Sequence, residues 1–257
     1  MPLTDVLDDG SLRIVTMMHA ERRNALSHAM ADEISAAIES ADCRVLVLRA
    51  EPGASTWSAG HVVNDLPIDG QDPLAWTSPV EHLVRAVRAA PFPVIAAVEG
   101  GAWGAACNLA FACDLIVATR GATFAITPAR LGVPYHTDGV AQFLGAVPLN
   151  VAKEMFFTAQ PIAANSPQLA GTVNRLADDS DSLEAAWRAL ADRIASLAPL
   201  SIRAIKAEMN ALTDARPLES GTFERLTALR RAAWMSADYA EGIAAFHERR
   251  DPRFAGE

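Results

Sequence analysis

Three cysteines, two tyrosines, a shortage of basic residues and the absence of any apolar run of membrane-spanning length mark this chain first. Cys43, Cys107 and Cys113 form an odd set without a C-x-x-C pair. That argues against a disulfide framework and a zinc knuckle, and leaves small buried apolar side chains as their expected role. The first residues lack a basic segment followed by an apolar stretch, and crossing a bilayer takes about 20 apolar residues. A cytoplasmic location without membrane association is therefore expected. Lys and Arg number 22 against 31 Asp and Glu, a formal net charge of -9. General nucleic-acid binding is disfavoured, because it depends on clustered cations that neutralise phosphates. A small anionic ligand remains admissible, since a few local arginines outweigh a diffuse global charge. No metal or redox cofactor is indicated.

Apolar content is what the chain has in quantity. Hydrophobic residues make up 51% and charged residues 21%, a balance that supports a packed core. The 257 residues suffice for one large domain, or one domain with a helical appendage. Ser11 to Met17 reads as a strand. Asn24 to Ser40 reads as a helix, with Met30, Ile34 and Ile38 on one face. Arg44 to Arg49 has the continuous apolar run of a strand covered on both faces. A loop rich in Gly, Asp and Pro spans Glu51 to Pro79, followed by a helix from Val80 to Ala90. Pro93 to Glu99 is a buried strand, a helix starts near Gly104, and Asp114 to Thr119 is another strand. This alternation predicts an α/β fold built from βαβ units. Strand signals end near residue 182, and segments 183–197, 200–212 and 222–247 read as helices. The expected division is a core over 1–182 and a helical region over 183–257.

Two segments carry chemistry. Ser58-Ala59-Gly60-His61 follows a strand, and its small residues let a ligand approach the main chain closely. Val98 to Ala106 is a buried strand that ends in a glycine turn, Gly100-Gly101, and leads into a small-residue helix at Gly104-Ala105. The first N–H groups of a helix lack internal partners and sit at the positive end of its dipole, which suits a developing oxyanion.

With Arg23-Asn24-Ala25-Leu26, Cys113-Asp114-Leu115-Ile116, Leu131-Gly132-Val133-Pro134 and Glu241-Gly242 to Phe246, these segments resemble the crotonase (enoyl-CoA hydratase/isomerase) superfamily. The matching pieces occur in family order over essentially the whole chain. The resemblance implies a spiral of ββα turns in two stacked sheets, followed by a C-terminal helical trimerisation region. It implies an acyl-CoA thioester as substrate, with coenzyme A part of that substrate and not a separate cofactor. It also implies that the main-chain amides of His61 and Ala105 grip the thioester oxygen. A homotrimer or a dimer of trimers is the implied assembly.

The family's hydratases use two glutamates. Their positions fall here on Asn108 and on Pro128, with Ala129 the alternative for the second. Neither Asn nor Pro can accept a proton as a general base. Hydration is thus disfavoured, and a reaction that needs the oxyanion donors without a strong base fits better. The stretches Leu66-Pro67, Gly70, Asp72-Pro73-Leu74, Thr127-Pro128, Phe157-Thr158-Ala159 and Asp238-Tyr239 resemble the methylmalonyl-CoA decarboxylase branch. That branch carries His and Tyr in its active site where His61 and Tyr135 stand, which implies decarboxylation of methylmalonyl-CoA or ethylmalonyl-CoA. His136, Thr137 and Asp138 depart from it, so the acyl pocket is open to another α-substituent. Asp138 is the alternative base for isomerisation or thioester hydrolysis. Loss of the carboxylates is also compatible with a non-catalytic acyl-CoA-binding protein. Arg23 is the first candidate for a CoA phosphate, since guanidinium groups both pair with phosphate and stack on adenine. By the same resemblance the main chain at Leu26 and Ala59 lines the CoA path beside Gly104, and Arg249 reaches a phosphate.

Overall fold

A computed structural model describes residues 2–215 and 217–256. Ten strands form two sheets, one of six strands in the order β1-β2-β3-β5-β7-β10 and one of four in the order β4-β6-β8-β9. The first comprises β1 (Thr4–Asp9), β2 (Leu12–Met17), β3 (Val45–Ala50), β5 (Val94–Val98), β7 (Leu115–Thr119) and β10 (Arg175–Ala177). The second comprises β4 (Thr56–Ser58), β6 (Gly101–Trp103), β8 (Thr123–Ala125) and β9 (Ile162–Ala163). From β3 to β8 the chain alternates strictly between the two sheets, so each circuit adds one strand to both. This is the expected α/β spiral.

The long apolar runs behave as strands covered twice. Leu46 and Leu48 of β3 enter the main core, while Val45 and Val47 enter a second core on the opposite face. Ala96 and Val98 of β5 split from Ile95 and Ala97 in the same way. This is the two-residue periodicity of a pleated strand. Helices α1 (His28–Glu39), α2 (Pro79–Ala89) and α3 (Ala105–Ala112) cover the first face. The second is covered by α6 (Ser180–Ala195), through Leu183, Trp187 and Ala191 spaced four apart.

Helices α7 (Pro199–Asp214), α8 (Ser220–Trp234) and α9 (Ala237–Glu248) follow. A buried ammonium ties α7 to the core: Lys206 Nζ donates to the carbonyls of Val87 and Phe92 and lies 2.7 Å from Asp114 Oδ2. The expected helix over 222–247 is two helices, because Ser236 stops one and caps the next by accepting from the Tyr239 amide. Helix α1 starts four residues later than the pattern suggested. Arg23 and Asn24 are left-handed, at φ 54° and 48°, and Ser27 supplies the N-cap. Helices α4 (Thr137–Ala146) and α5 (Leu149–Thr158) and the short strands of the second sheet lie in segments that gave no readable period. Among the described residues, no helix is long and apolar enough to cross a membrane.

Candidate active site

The site is assembled by a polar knot. Asn24, fully buried, donates from Nδ2 to the Trp57 carbonyl and accepts from the His19 amide at Oδ1. Ser58 Oγ donates to the Asn24 carbonyl at 2.6 Å and accepts from the Gly60 amide. The Ala59 amide donates to the Arg23 carbonyl, and the Leu26 amide to the Gly60 carbonyl at 2.7 Å. The Arg23–Leu26 and Ser58–His61 segments are thereby one unit. A buried Asn with its neighbours satisfied this fully fixes geometry as well as adding stability.

Gly60 sits at φ 83°, and a Cβ placed there would lie 2.2 Å from the Trp103 carbonyl oxygen and 3.0 Å from the Ala105 nitrogen. The 60–61 main chain therefore runs directly against the start of α3. Gly104, at φ 56°, turns β6 into α3 while its amide is held by the Ala125 carbonyl at 2.8 Å. Among the described residues, neither the His61 nor the Ala105 amide donates to a backbone carbonyl. Two free N–H groups on adjoining segments, one at a helix N-terminus, make a place for negative charge. Thr127 Oγ1 lies 3.2 Å from where a Cβ on Gly104 would be, so the turn has little room for a side chain there.

The His61 ring is half-buried, with Nδ1 3.2 Å from the Val62 carbonyl and His28 edge-on at 6.1 Å. Burial holds its imidazole below the usual histidine value, so it is neutral at pH 7. Tyr135 stacks on His136 at 5.3 Å and packs edge-on against Phe143 and Phe156. Burial first, and then the charge of Glu81, push its phenol well above the usual tyrosine range. It is therefore a neutral hydrogen-bond donor. Asn108 is buried, its Oδ1 without a hydrogen-bond partner, while its carbonyl accepts from Gln142 Nε2 at 2.9 Å. Pro128 begins a short 3-10 turn and Ala129 next to it is exposed, so that turn offers no acid.

Comparison with known proteins identifies the family. Residues 8–257 match the enoyl-CoA hydratase/isomerase family. The chain belongs to that family. It is 35% identical to methylmalonyl-CoA decarboxylase of Escherichia coli over 255 residues, covering 98% of this chain and 97% of that one. A solved structure of methylmalonyl-CoA decarboxylase in complex with 2-nitronate-propionyl-CoA superimposes with a TM-score of 0.96 at 34% identity, over 99% of both chains. Human enoyl-CoA hydratase domain-containing protein 3 is 32% identical over 96% of this chain and 81% of its own. Crotonase-family chemistry on acyl-CoA thioesters is thereby supported.

The enoyl-CoA hydratase/isomerase fold brings Arg23, Leu26, Ala59 and His61 together through the bonds above, and sets Gly104 and Ala105 against them at Gly60. The Arg23 side chain is exposed at the edge of that unit. Tyr135 stacks on His136, whose Nε2 lies 2.8 Å from Glu81 Oε2, and no contact joins this group to His61 or Ala105 among the described residues. Arg249 stands apart, exposed and left-handed at the end of α9. Asp138 is exposed in the first turn of α4. Sequence reasoning missed the buried carboxylate of Glu81. A single acidic residue in a helix's first turn resembles any other favourable end charge, and only the fold reveals that Glu81 is 6% exposed.

Proposed function

We propose that this chain decarboxylates a short branched malonyl-CoA thioester, methylmalonyl-CoA or ethylmalonyl-CoA, through a thioester enolate. The observation that carries the reading is the pair of unengaged amides at His61 and Ala105, beside positions 108 and 128 that hold no acid. Loss of CO2 leaves an electron pair on the α-carbon, delocalised onto the thioester oxygen. Donors aimed at that oxygen are typically worth about 3–4 kcal/mol each. The departing carboxylate needs orientation, its C–C bond perpendicular to the carbonyl plane, and not deprotonation. The neutral Tyr135 phenol is suited to hold it there. The similarity to methylmalonyl-CoA decarboxylase supports the same reaction.

On this reading Arg23 meets a CoA phosphate, Arg249, apart from the site in its own chain, reaches one across a subunit boundary, and the main chain at Leu26, Ala59 and Gly104 borders the pantetheine. No metal or redox cofactor enters, and the chain assembles as a homotrimer or a dimer of trimers. The test is incubation with a panel of malonyl-type and enoyl-type CoA esters, read by mass and by CO2 release. Methylmalonyl-CoA or ethylmalonyl-CoA should yield CO2 and the shortened acyl-CoA. Tyr135→Phe should cut turnover roughly 10–100-fold, the worth of one hydrogen bond to a charged group, with CoA-ester binding nearly intact. Full activity in that variant would remove the phenol from the mechanism.

A second reading, double-bond isomerisation or thioester hydrolysis, draws on a carboxylate as base: Glu81 is buried, whereas Asp138 is exposed. A shifted enoyl absorbance, or free CoA thiol without CO2, would favour it. Binding of CoA esters without turnover across the panel would indicate a non-catalytic binding protein.

A further inference from the structure

Ala105 combines a free amide with a side chain at the point where the two chain segments meet. It is the first residue of α3, and among the described residues its amide donates to no backbone carbonyl. Its neighbours at the junction are glycines. A Cβ on Gly60 would lie 3.0 Å from the Ala105 nitrogen, and Gly104 turns the chain at φ 56°. Ala105 itself is not at positive φ, so nothing in its backbone demands or forbids a methyl there. Of the eight residues of α3, Ala106 to Ala112 are buried and Ala105 alone is half-buried. Its methyl is therefore the one side chain of α3 that an incoming ligand meets.

Covalent geometry fixes what that methyl touches. At a helical φ the Cα–Cβ bond lies on the same side of the residue as the N–H, tilted toward the helix N-terminus. An oxygen accepting from the Ala105 amide at about 2.9 Å then lies about 3.5 Å from Cβ, in van der Waals contact. A bound carbonyl brings its carbon and both substituents into the same space. Neither wall can give way easily. The 60–61 main chain is tied to Leu26 through the Gly60 carbonyl, and the start of α3 is held by the Gly104 amide on the Ala125 carbonyl. A main-chain donor cannot swing aside as a side chain would, so one surplus methylene there is felt.

We propose that the Ala105 methyl sets the size of the α-substituent, admitting a methyl group and resisting ethyl and larger ones. This rests on the decarboxylation reading above and narrows its substrate to methylmalonyl-CoA. On that reading pantetheine passes Leu26, Ala59 and Gly104, which puts the sulfur on that side of the carbonyl. The α-carbon then continues past Ala105, the next residue along α3. It carries a hydrogen, a carboxylate and an alkyl group, and the alkyl group shares its space with the Ala105 methyl. One residue thus serves twice, its amide for the thioester oxygen and its methyl for selection.

Isobutyryl-CoA and α-methylbutyryl-CoA test this without chemistry. They are the unreactive counterparts of methylmalonyl-CoA and ethylmalonyl-CoA, with a methyl in place of the carboxylate. By calorimetry the full chain should bind the first about tenfold tighter than the second, the worth of one methylene in a confined site. Ala105→Gly keeps the amide and removes the methyl, and should bring the two affinities close together. Ala105→Ser keeps a side chain of similar size and should retain the preference. CO2 release should follow, with ethylmalonyl-CoA gaining on methylmalonyl-CoA in Ala105→Gly. Equal binding of the two esters by the wild-type chain overturns the assignment, and so does a preference that survives in Ala105→Gly, even if CO2 release upholds the decarboxylase. A preference lost in Ala105→Gly, with no CO2 released by the wild-type chain, keeps Ala105 as the selector and overturns the decarboxylase.

Discussion

Gly60 and Gly104 carry no side chain, and the site depends on that. A methyl at residue 60 would stand 2.2 Å from the Trp103 carbonyl at a φ of 83°, so the amides of His61 and Ala105 could not keep their present spacing. Gly60→Ala is expected to destabilise the chain by about 2 kcal/mol or more, from backbone strain plus the clash, and to abolish turnover. Urea unfolding together with the CoA-ester assay checks both. His61 gives a pH prediction. Burial lowers its folded value below the 6.5 of an unperturbed histidine, so below pH 6.5 the unfolded chain binds a proton that the native state refuses. Stability from this group is thus intact above pH 6.5 and falls as pH drops beneath it. An NMR titration should place the His61 midpoint under 6.5; a midpoint above it would mean that an anionic neighbour outweighs burial. At this scale the small residues before His61 and around Gly104 announced a close main-chain approach, while the roles given to the His61 and Ala105 amides came only from the family resemblance. Glu81 stayed hidden, since its partner His136 is 55 positions away and only packing joins them.

Helix α9 meets the turn before Tyr135 backbone to backbone, and α8 and α9 hold the 66–74 loop through side chains. A Cβ on Gly242 would lie 2.4 Å from the Leu131 carbonyl carbon, so α9 packs its own backbone against the turn that leads to Tyr135. The Tyr239 hydroxyl donates to the Pro67 carbonyl at 2.7 Å, Trp234 Nε1 donates to the Gly70 carbonyl, and Arg230 pairs with Asp72. These bonds explain physically the Leu66–Leu74 and Asp238–Gly242 stretches that the sequence offered only as a likeness. Helix α7 is joined by Lys206 alone among its side chains that are buried. Lys206→Met leaves two carbonyls unpaired and Asp114 with only the Val94 amide, and is expected to cost about 2–3 kcal/mol, the lower part of the range for a broken buried pair because Asp114 is partly exposed. A chemical denaturation midpoint that does not move would show that solvent replaces the ammonium without loss. Long elements with clean apolar periods were legible in advance. Strands of two or three residues, such as β4 and β9, were not, because a period of two cannot be read over so short a span.

At the scale of the molecule, one feature of the last third is unspent apolar surface. Leu200, Met209 and Leu212 on α7, and Phe223 and Leu229 on α8, are all exposed. A single chain in water rarely leaves so many large apolar side chains on two successive helices. The proposed trimer or dimer of trimers would cover them, and sedimentation equilibrium should give a mass of three or six chains; a monomer at micromolar concentration would contradict it. The α/β spiral and the family were readable from the residues, since they follow from alternating strands and from motifs spread along the whole chain. Assembly was not, because an apolar helix face does not say what covers it. The account as a whole depends on where the thioester oxygen binds. A crystal complex of the full chain with an enolate-mimicking CoA thioester analogue tests that directly. Its oxygen should lie about 2.7–3.1 Å from the main-chain nitrogens of both His61 and Ala105, and an oxygen bound away from either amide would contradict the mechanism.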